Sequence, residues 1–182
     1  MIKVYALSGS HGIGKTTTFK YLKELLPSEK FAFVGEFADS ILRQMGIRHN
    51  WKETIFKNCS AYHFFESALD FCTIASYLTH RDNTIVADRS IVDNCGYRLL
   101  AGLPLSNISL LNAYGVRLYT FFMRSERENR EITEAIKNVL VEFKLPFDEV
   151  KIIEGKPKET AIVIVNRILE IEKENSEETK NR

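Results

Sequence analysis

Gly9-Ser10-His11-Gly12-Ile13-Gly14-Lys15-Thr16 matches the spacing G-x-x-x-x-G-K-[S/T]. The chemistry of phosphate binding asks for these residue types. Glycines let the backbone turn tightly, so that successive N–H groups point inward at phosphate oxygens. The N-terminus of a following helix adds partial positive charge. Lys15 supplies a full charge for β- and γ-phosphates, and the Thr16 hydroxyl is a ligand for Mg2+. Thr17 is placed to reach the α-phosphate. His11 lies within the loop with its side chain expected to point away and with no catalytic role. Lys15 is expected at a solvent-facing loop edge. The loop thus implies a nucleoside triphosphate site, with ATP and Mg2+ as its occupants.

Further candidates follow other apolar runs. Thr84-Ile85-Val86-Ala87-Asp88 reads as a strand closing on an acid, suited to hold Mg2+ directly or through water. Capping the next helix is the competing role for Asp88. Glu36 follows the run Phe31–Val34. It suits a general base that takes a proton from an attacking hydroxyl, or else a helix cap or a partner of a surface cation. Arg124, Arg127 and Arg130 are spaced by three and would share one side of a helix. As a mobile lid they would close over a transferring phosphoryl group. As a solvated face they would be balanced by Glu126, Glu128 and Glu131. An acceptor slot would draw on Tyr62, His63, Phe64, Phe65 and Glu66, then Asp93 and Tyr97, with Arg43 available for an acceptor phosphate.

The elements that must carry these groups alternate strand and helix. Apolar runs at Ile2–Leu7, Phe31–Val34, Thr84–Ala87, Val116–Met123 and Val150–Ile153 read as five strands. Helical spacing covers 16–26, 37–45, about 51–78 with Asn50 as its cap, 90–100, 131–143 and 158–171. Such alternation predicts an α/β domain with a parallel sheet covered on both faces. A single domain is expected over 1–172, with the polar tail 173–182 frayed or disordered.

Composition narrows the function classes. The chain has 182 residues, 45% of them hydrophobic and 27% charged, which suits one globular domain. The formal net charge is +1, against a broad nucleic-acid surface. Cys59, Cys72 and Cys95 form no C-x-x-C pair and read as free thiols. The apolar start is too short for a signal core or a membrane span, so a cytoplasmic protein without membrane contact is expected.

Taken together, the phosphate loop, Glu36, Asp88-Arg89-Ser90 and the arginine segment resemble the nucleoside and nucleotide kinases. Asp88-Arg89-Ser90 is similar to the Glu-Arg-Ser motif of deoxynucleoside kinases and the Asp-Arg-aromatic motif of thymidylate kinases. The final third, from Ala135 through Leu145-Pro146-Phe147, looks like the kinase domain that phosphorylates nicotinamide riboside. The resemblance spans roughly residues 1–172. It implies a P-loop NTPase fold of five parallel strands in order 2-3-1-4-5. It implies Glu36 as the acid that activates the acceptor hydroxyl, and Arg89 near the acceptor and the transferred phosphate. It also implies Arg124, Arg127 and Arg130 in a lid, and adenine held by backbone around Gly155-Lys156-Pro157. Phe37 stands where deoxynucleoside kinases have proline, and Asp88 replaces their glutamate, which leaves the acceptor open.

The expected activity is ATP-dependent phosphoryl transfer to a nucleoside, nucleotide or related small metabolite. A nucleoside hydroxyl needs a base, whereas a monophosphate needs cations, and both are present. Alternatives are an ATPase or switch working on a protein partner, and a kinase of nucleic-acid 5′ ends. A homodimer stays open. The guanine-reading Asn-Lys-x-Asp motif is missing from the sequence.

Overall fold

A computed structural model describes residues 1–47, 55 and 57–180. Five parallel strands form one sheet: β1 (Ile2–Ser8), β2 (Phe31–Val34), β3 (Thr84–Asp88), β4 (Val116–Arg124) and β5 (Phe147–Lys151). Their order is β2-β3-β1-β4-β5, as the resemblance implied. The helices are α1 (Lys15–Leu25), α2 (Ala38–Gln44), α3 (Cys59–Thr79), α4 (Ile91–Leu100), α5 (Ser109–Ala113), α6 (Arg130–Glu142) and α7 (Pro157–Lys180).

Alternation along the strands builds two cores. Val4 and Ala6 face one side with Ile85, Ala87, Leu118 and Phe122, under α3, α4, α5 and α6. Tyr5 and Leu7 face the other with Val86, Phe121 and Met123, under α1 and α7. The two-residue period of a strand sends neighbours to opposite faces, so a sheet covered twice reads as a continuous apolar run. β1 lies at the centre and pairs with β3 (Leu7↔Asp88) and β4 (Leu7↔Phe121). The phosphate loop therefore leaves the most buried strand, and Asp88 ends level with it.

Three boundaries differ from expectation. β5 occupies Phe147–Lys151, earlier than the run Val150–Ile153. Its register is set by β4, from Thr120↔Phe147 to Arg124↔Lys151, and Phe147 meets the Phe122 ring edge-on at 6.2 Å. Phe147 and Val150 serve opposite cores, a pairing that a count of apolar residues overlooks.

The helix expected from about Trp51 begins at Cys59, capped by Asn58, whose side chain accepts from the Ala61 amide at 3.0 Å. Asn50 and Trp51 lie outside the described residues. The tail expected to fray is helical as far as Lys180. Glu172 accepts from the Lys3 ammonium at 3.0 Å and the Tyr5 hydroxyl at 2.7 Å, which docks the helix on β1. Arg167 pairs with Glu170 at 3.2 Å, the kind of i,i+3 contact that supports a polar helix.

α4 and α6 approach closely at Gly96. A Cβ there would stand 2.5 Å from Ile136 Cγ1 and 3.1 Å from its backbone nitrogen. Overpacking of this kind costs about 1–3 kcal/mol. Gly96→Ala is expected to lower the urea midpoint accordingly, and an unchanged midpoint would show that α6 yields freely. Among the described residues no helix is long and apolar enough to cross a membrane. Cys59, Cys72 and Cys95 are all free thiols.

Candidate functional site

The loop between β1 and α1 adopts the conformation its glycines permit. Gly9, Gly12 and Gly14 all have positive φ, and Gly14 is the N-cap of α1. Gly9 is further confined, since a Cβ there would lie 2.7 Å from the Met123 carbonyl oxygen. The Ser10 hydroxyl accepts from the Asn129 amide at 3.1 Å and ties the loop to the start of α6.

Lys15 is not at a solvent-facing edge. It is 4% exposed, and its ammonium donates to the carbonyls of Gly9 (2.7 Å) and Ser10 (2.6 Å). Burial, then the Arg89 charge, lowers its pKa to about 8. The loop has folded around its own cation, which holds positive charge where phosphate oxygens belong. His11 is exposed, and its Nδ1 lies 3.2 Å from the Tyr97 hydroxyl. Thr16 and Thr17, at the start of α1, are exposed toward the same opening.

Asp88 is buried at the end of β3, and Thr16 lines the same cleft beside it. Burial raises its pKa, and Thr16, Arg89 and Lys15 pull the other way. Its Oδ1 has no hydrogen-bond partner. Capping of α4 falls to Ser90, whose side chain accepts from the Val92 amide, so Asp88 is left for another task. A buried carboxylate oxygen with an open lone pair, next to the Thr16 hydroxyl, fits a hard cation shared with phosphate oxygens. No cluster of three His, Cys, Asp or Glu side chains suited to a metal exists among the described residues. Magnesium bound by one carboxylate, one hydroxyl and phosphate needs no such cluster.

Arg89 follows with φ of 84°, a left-handed conformation unusual for a side chain of this size. Its surroundings hold it there. The Nε lies 2.7 Å from Glu36 Oε1, and one terminal nitrogen lies 3.6 Å from Asp93 Oδ1. The guanidinium also stands over the Tyr97 ring at 6.0 Å. Glu36 is half-buried, its pKa raised by burial and opposed by the Arg89 charge. No side chain caps α2, so Glu36 is free for the ion pair.

Asp93, expected in an acceptor slot, lies instead beneath the loop. It accepts from Ser8 Oγ at 2.7 Å, from the Gly9 amide at 3.1 Å and from the Ser90 amide at 3.1 Å. One buried carboxylate thus joins the end of β1, the first residue of the phosphate loop and the start of α4. The spacing Ser90-x-x-Asp93 is a capping box and was the available signal for this role.

Beside the loop opens a cleft of about 1080 Å3 between α1, α2, α3 and α4. Glu36, Asp88 and Arg89 line it with Tyr62, Phe65 and Glu66 from α3 and Tyr97 from α4. Arg43 also lines it, engaged with Asp39 at 2.7 Å. Glu66 is buried, and desolvation raises its carboxyl to about 7. Asn94, another lining residue, was not anticipated; it donates to Asp70 at 2.7 Å. His63 and Phe64 do not line the cleft. His63 meets Arg98 at 3.1 Å, and Phe64 is exposed on another face of α3.

The three arginines do not share a helix. Arg124 ends β4, Arg127 lies in a turn, and Arg130 is the first residue of α6. None of them lines the cleft. Arg124 is paired with Glu128 at 2.7 Å, and Arg127 with Glu154 at 3.2 Å. The carboxylates expected to balance a solvated face therefore include a real partner, Glu128, held by the tight turn after β4. The Gly155-Lys156-Pro157 segment leads into α7. Gly155 has positive φ, and Lys156 is exposed and paired with Glu159 at 3.0 Å. The Arg127–Glu154 pair places this segment next to the arginine turn.

No protein-family profile matches the chain, and no curated protein matches it. Solved structures do. The thymidylate kinase from Ehrlichia chaffeensis aligns with a TM-score of 0.56 and 12% identity, over 91% of this chain and 98% of that one. NadR, solved in complex with NR, aligns with a TM-score of 0.60 and 15% identity, over 89% of this chain and 48% of that one. This chain therefore spans about half of the NadR chain. At such identities the likeness is one of fold, and the fold is that of a P-loop nucleotide kinase.

Proposed function

We propose that the chain transfers the γ-phosphoryl group of ATP to a small-molecule acceptor bound in the cleft beside the phosphate loop. One observation carries this reading. Glu36 and Arg89 form an ion pair on the wall of a roomy cleft that also contains Lys15, Thr16 and Asp88. A pure switch needs no such chamber, and a nucleic-acid 5′-end kinase would need a longer basic track than a chain of net charge +1 suggests.

Lys15 and the loop amides hold the phosphates. Thr16 and Asp88 would hold Mg2+, which neutralises phosphate charge when bound. Arg89 has its charge fixed at the boundary between phosphate loop and cleft, where it can face the group in transit. Glu36 is positioned to take the proton of an attacking hydroxyl. That favours a nucleoside or similar alcohol over a monophosphate. Tyr62, Phe65 and Tyr97 supply flat apolar walls for a ring. The adenine of ATP lies, in this reading, against the Gly155-Lys156-Pro157 backbone. Arg124, Arg127 and Arg130 act as a lid only after Arg124 and Arg127 exchange their present carboxylate partners.

The test is ADP release from Mg-ATP against nucleosides, nucleoside monophosphates and nicotinamide riboside. Acceleration by one acceptor class supports transfer. Hydrolysis indifferent to every acceptor would move the reading to an ATPase with a protein partner. Glu36→Gln separates the acceptor classes. With a hydroxyl acceptor it is expected to lower kcat by about a hundredfold or more, as loss of a general base does. An effect within a few-fold would point to a monophosphate acceptor.

A further inference from the structure

α3 gives the cleft one helix face, Tyr62, Phe65, Glu66 and Leu69, at positions i, i+3, i+4 and i+7. Tyr97 of α4 adds another ring to this wall. Among these rings and the leucine sits one carboxylate, Glu66, only 4% exposed, and its Oε2 has no hydrogen-bond partner. Burying a carboxylate without a counter-charge is costly. The nearby cations are engaged elsewhere. Arg89 pairs with Glu36 and Asp93. Arg98, fully buried between α3 and α4, holds Asp70 at 3.5 Å, Ser67 at 2.8 Å and the Pro104 carbonyl at 3.3 Å. Asp70 also accepts from Asn94 at 2.7 Å and Asn107 at 2.8 Å. The layer behind the wall is therefore balanced in charge without Glu66.

We propose that Glu66 selects the acceptor by its ring, taking a heterocycle that presents an N–H donor or a positive charge to α3 and rejecting one that presents a carbonyl there. This rests on the cleft being the acceptor site. An ionised carboxylate only accepts hydrogen bonds. An amino group supplies the missing donor, and a cationic ring supplies the missing charge and is favoured by the faces of Tyr62, Phe65 and Tyr97. A carbonyl would set one acceptor against another in a site sheltered from water. Glu36 and Glu66 thus have separate tasks: the one faces the hydroxyl that is to be phosphorylated, the other reads the ring.

The selection has a pH signature. The ionisable groups facing Glu66 are Tyr62 and Asp70 on α3, Cys95 and Arg98 on α4, and Arg89 ahead of α4. Desolvation, with the Asp70 charge adding to it, raises the Glu66 carboxyl to about 7 against the pull of Tyr62, Arg98 and Arg89. Above that value the ionised form accepts only, and a ring with a donor is preferred. Below it the protonated form can itself donate, and a carbonyl is tolerated. The preference for a donor ring therefore rises as pH rises through about 7. Groups at the phosphate end, Lys15 among them, act on both kinds of ring alike and cancel in the ratio of two affinities.

Titration calorimetry with the full chain and Mg-ADP tests this with three probes. Cytidine and uridine differ in an amino group against a carbonyl on the same ring, and nicotinamide riboside carries a cationic ring. At about pH 8, cytidine, nicotinamide riboside or both are expected to bind about 10–100-fold tighter than uridine, the usual worth of a hydrogen bond to a charged group. The tighter of the two tells whether donor or charge is read. Near pH 6 the ratio should shrink to a few-fold. Glu66→Gln keeps the shape and removes the charge, and is expected to abolish the preference at both pH values with its circular dichroism unchanged. Should that variant fail to fold, the pH dependence of the wild-type ratio decides. Equal binding at about pH 8, a ratio indifferent to pH, a preference that survives in Glu66→Gln, or binding of none of the three would overturn the proposal. Binding is read without turnover. Phosphoryl transfer without ring preference would sink this inference and spare the kinase reading, and ring preference without transfer would do the reverse.

Discussion

Lys15→Met is expected to lower turnover with Mg-ATP by at least on the order of 10²–10³-fold, the usual cost of removing one electrostatic group aimed at a transition state. Methionine is the better replacement because the Lys15 stem is buried and its loss would leave a hole. Met keeps that volume and removes only the charge now bonded to the Gly9 and Ser10 carbonyls. The measurement is ADP release with the best acceptor of the panel, with circular dichroism as the check on folding. Turnover within a factor of ten of the wild type would sink the phosphate-loop reading. Loss of the fold in the Met variant would instead show that the loop needs its internal cation to form at all.

Asp93→Ala is expected to have the largest effect on stability. The carboxylate is fully buried and accepts from Ser8 Oγ, the Gly9 amide and the Ser90 amide, with Arg89 close by. Alanine would strand these donors and leave Arg89 short of one of its two counter-charges. Breaking a buried charged network from one side costs about 3–5 kcal/mol. For a chain of this length that corresponds to a melting temperature lower by roughly 6–20 °C. Affinity for Mg-ATP should fall as well, since Gly9 and Arg89 are both released. Asp93→Asn should cost less, because one oxygen can still accept. A thermal melt settles the matter: an alanine variant melting within two or three degrees of wild type, to order of magnitude, would deny the network its role.

The phosphate loop, the five strands and the acids after β2 and β3 were legible in the sequence, because each rests on local rules. Glycines at fixed spacing, apolar runs of strand length and an acid at a strand end declare themselves within a few residues. Strand order came from the resemblance and not from the runs, since nothing local says which strands pair. The placement of the arginines was misread. Spacing by three suggests one helix face only if the chain is helical there, and the turn after β4, held by Glu128 and by Asn129 on Ser10, breaks the helix.

Tertiary structure alone decided the rest. Burial of Lys15 depends on the loop wrapping back on itself. The Glu36–Arg89 pair joins two strand ends separated by more than fifty positions, which only the adjacency of β2 and β3 brings together. Asp93 read as a candidate for the acceptor slot, and became the tie between loop and sheet because α4 starts beside β1. The tail after Glu172 was polar by every local measure, yet α7 continues to Lys180, beyond the point where Glu172 docks on Lys3 and Tyr5 of β1. In each case the sequence by itself determined which groups were available for charge and hydrogen bonding. Which of them met was decided by the packing of elements far apart in the chain, where Coulomb attraction and desolvation act through space and leave no local periodicity.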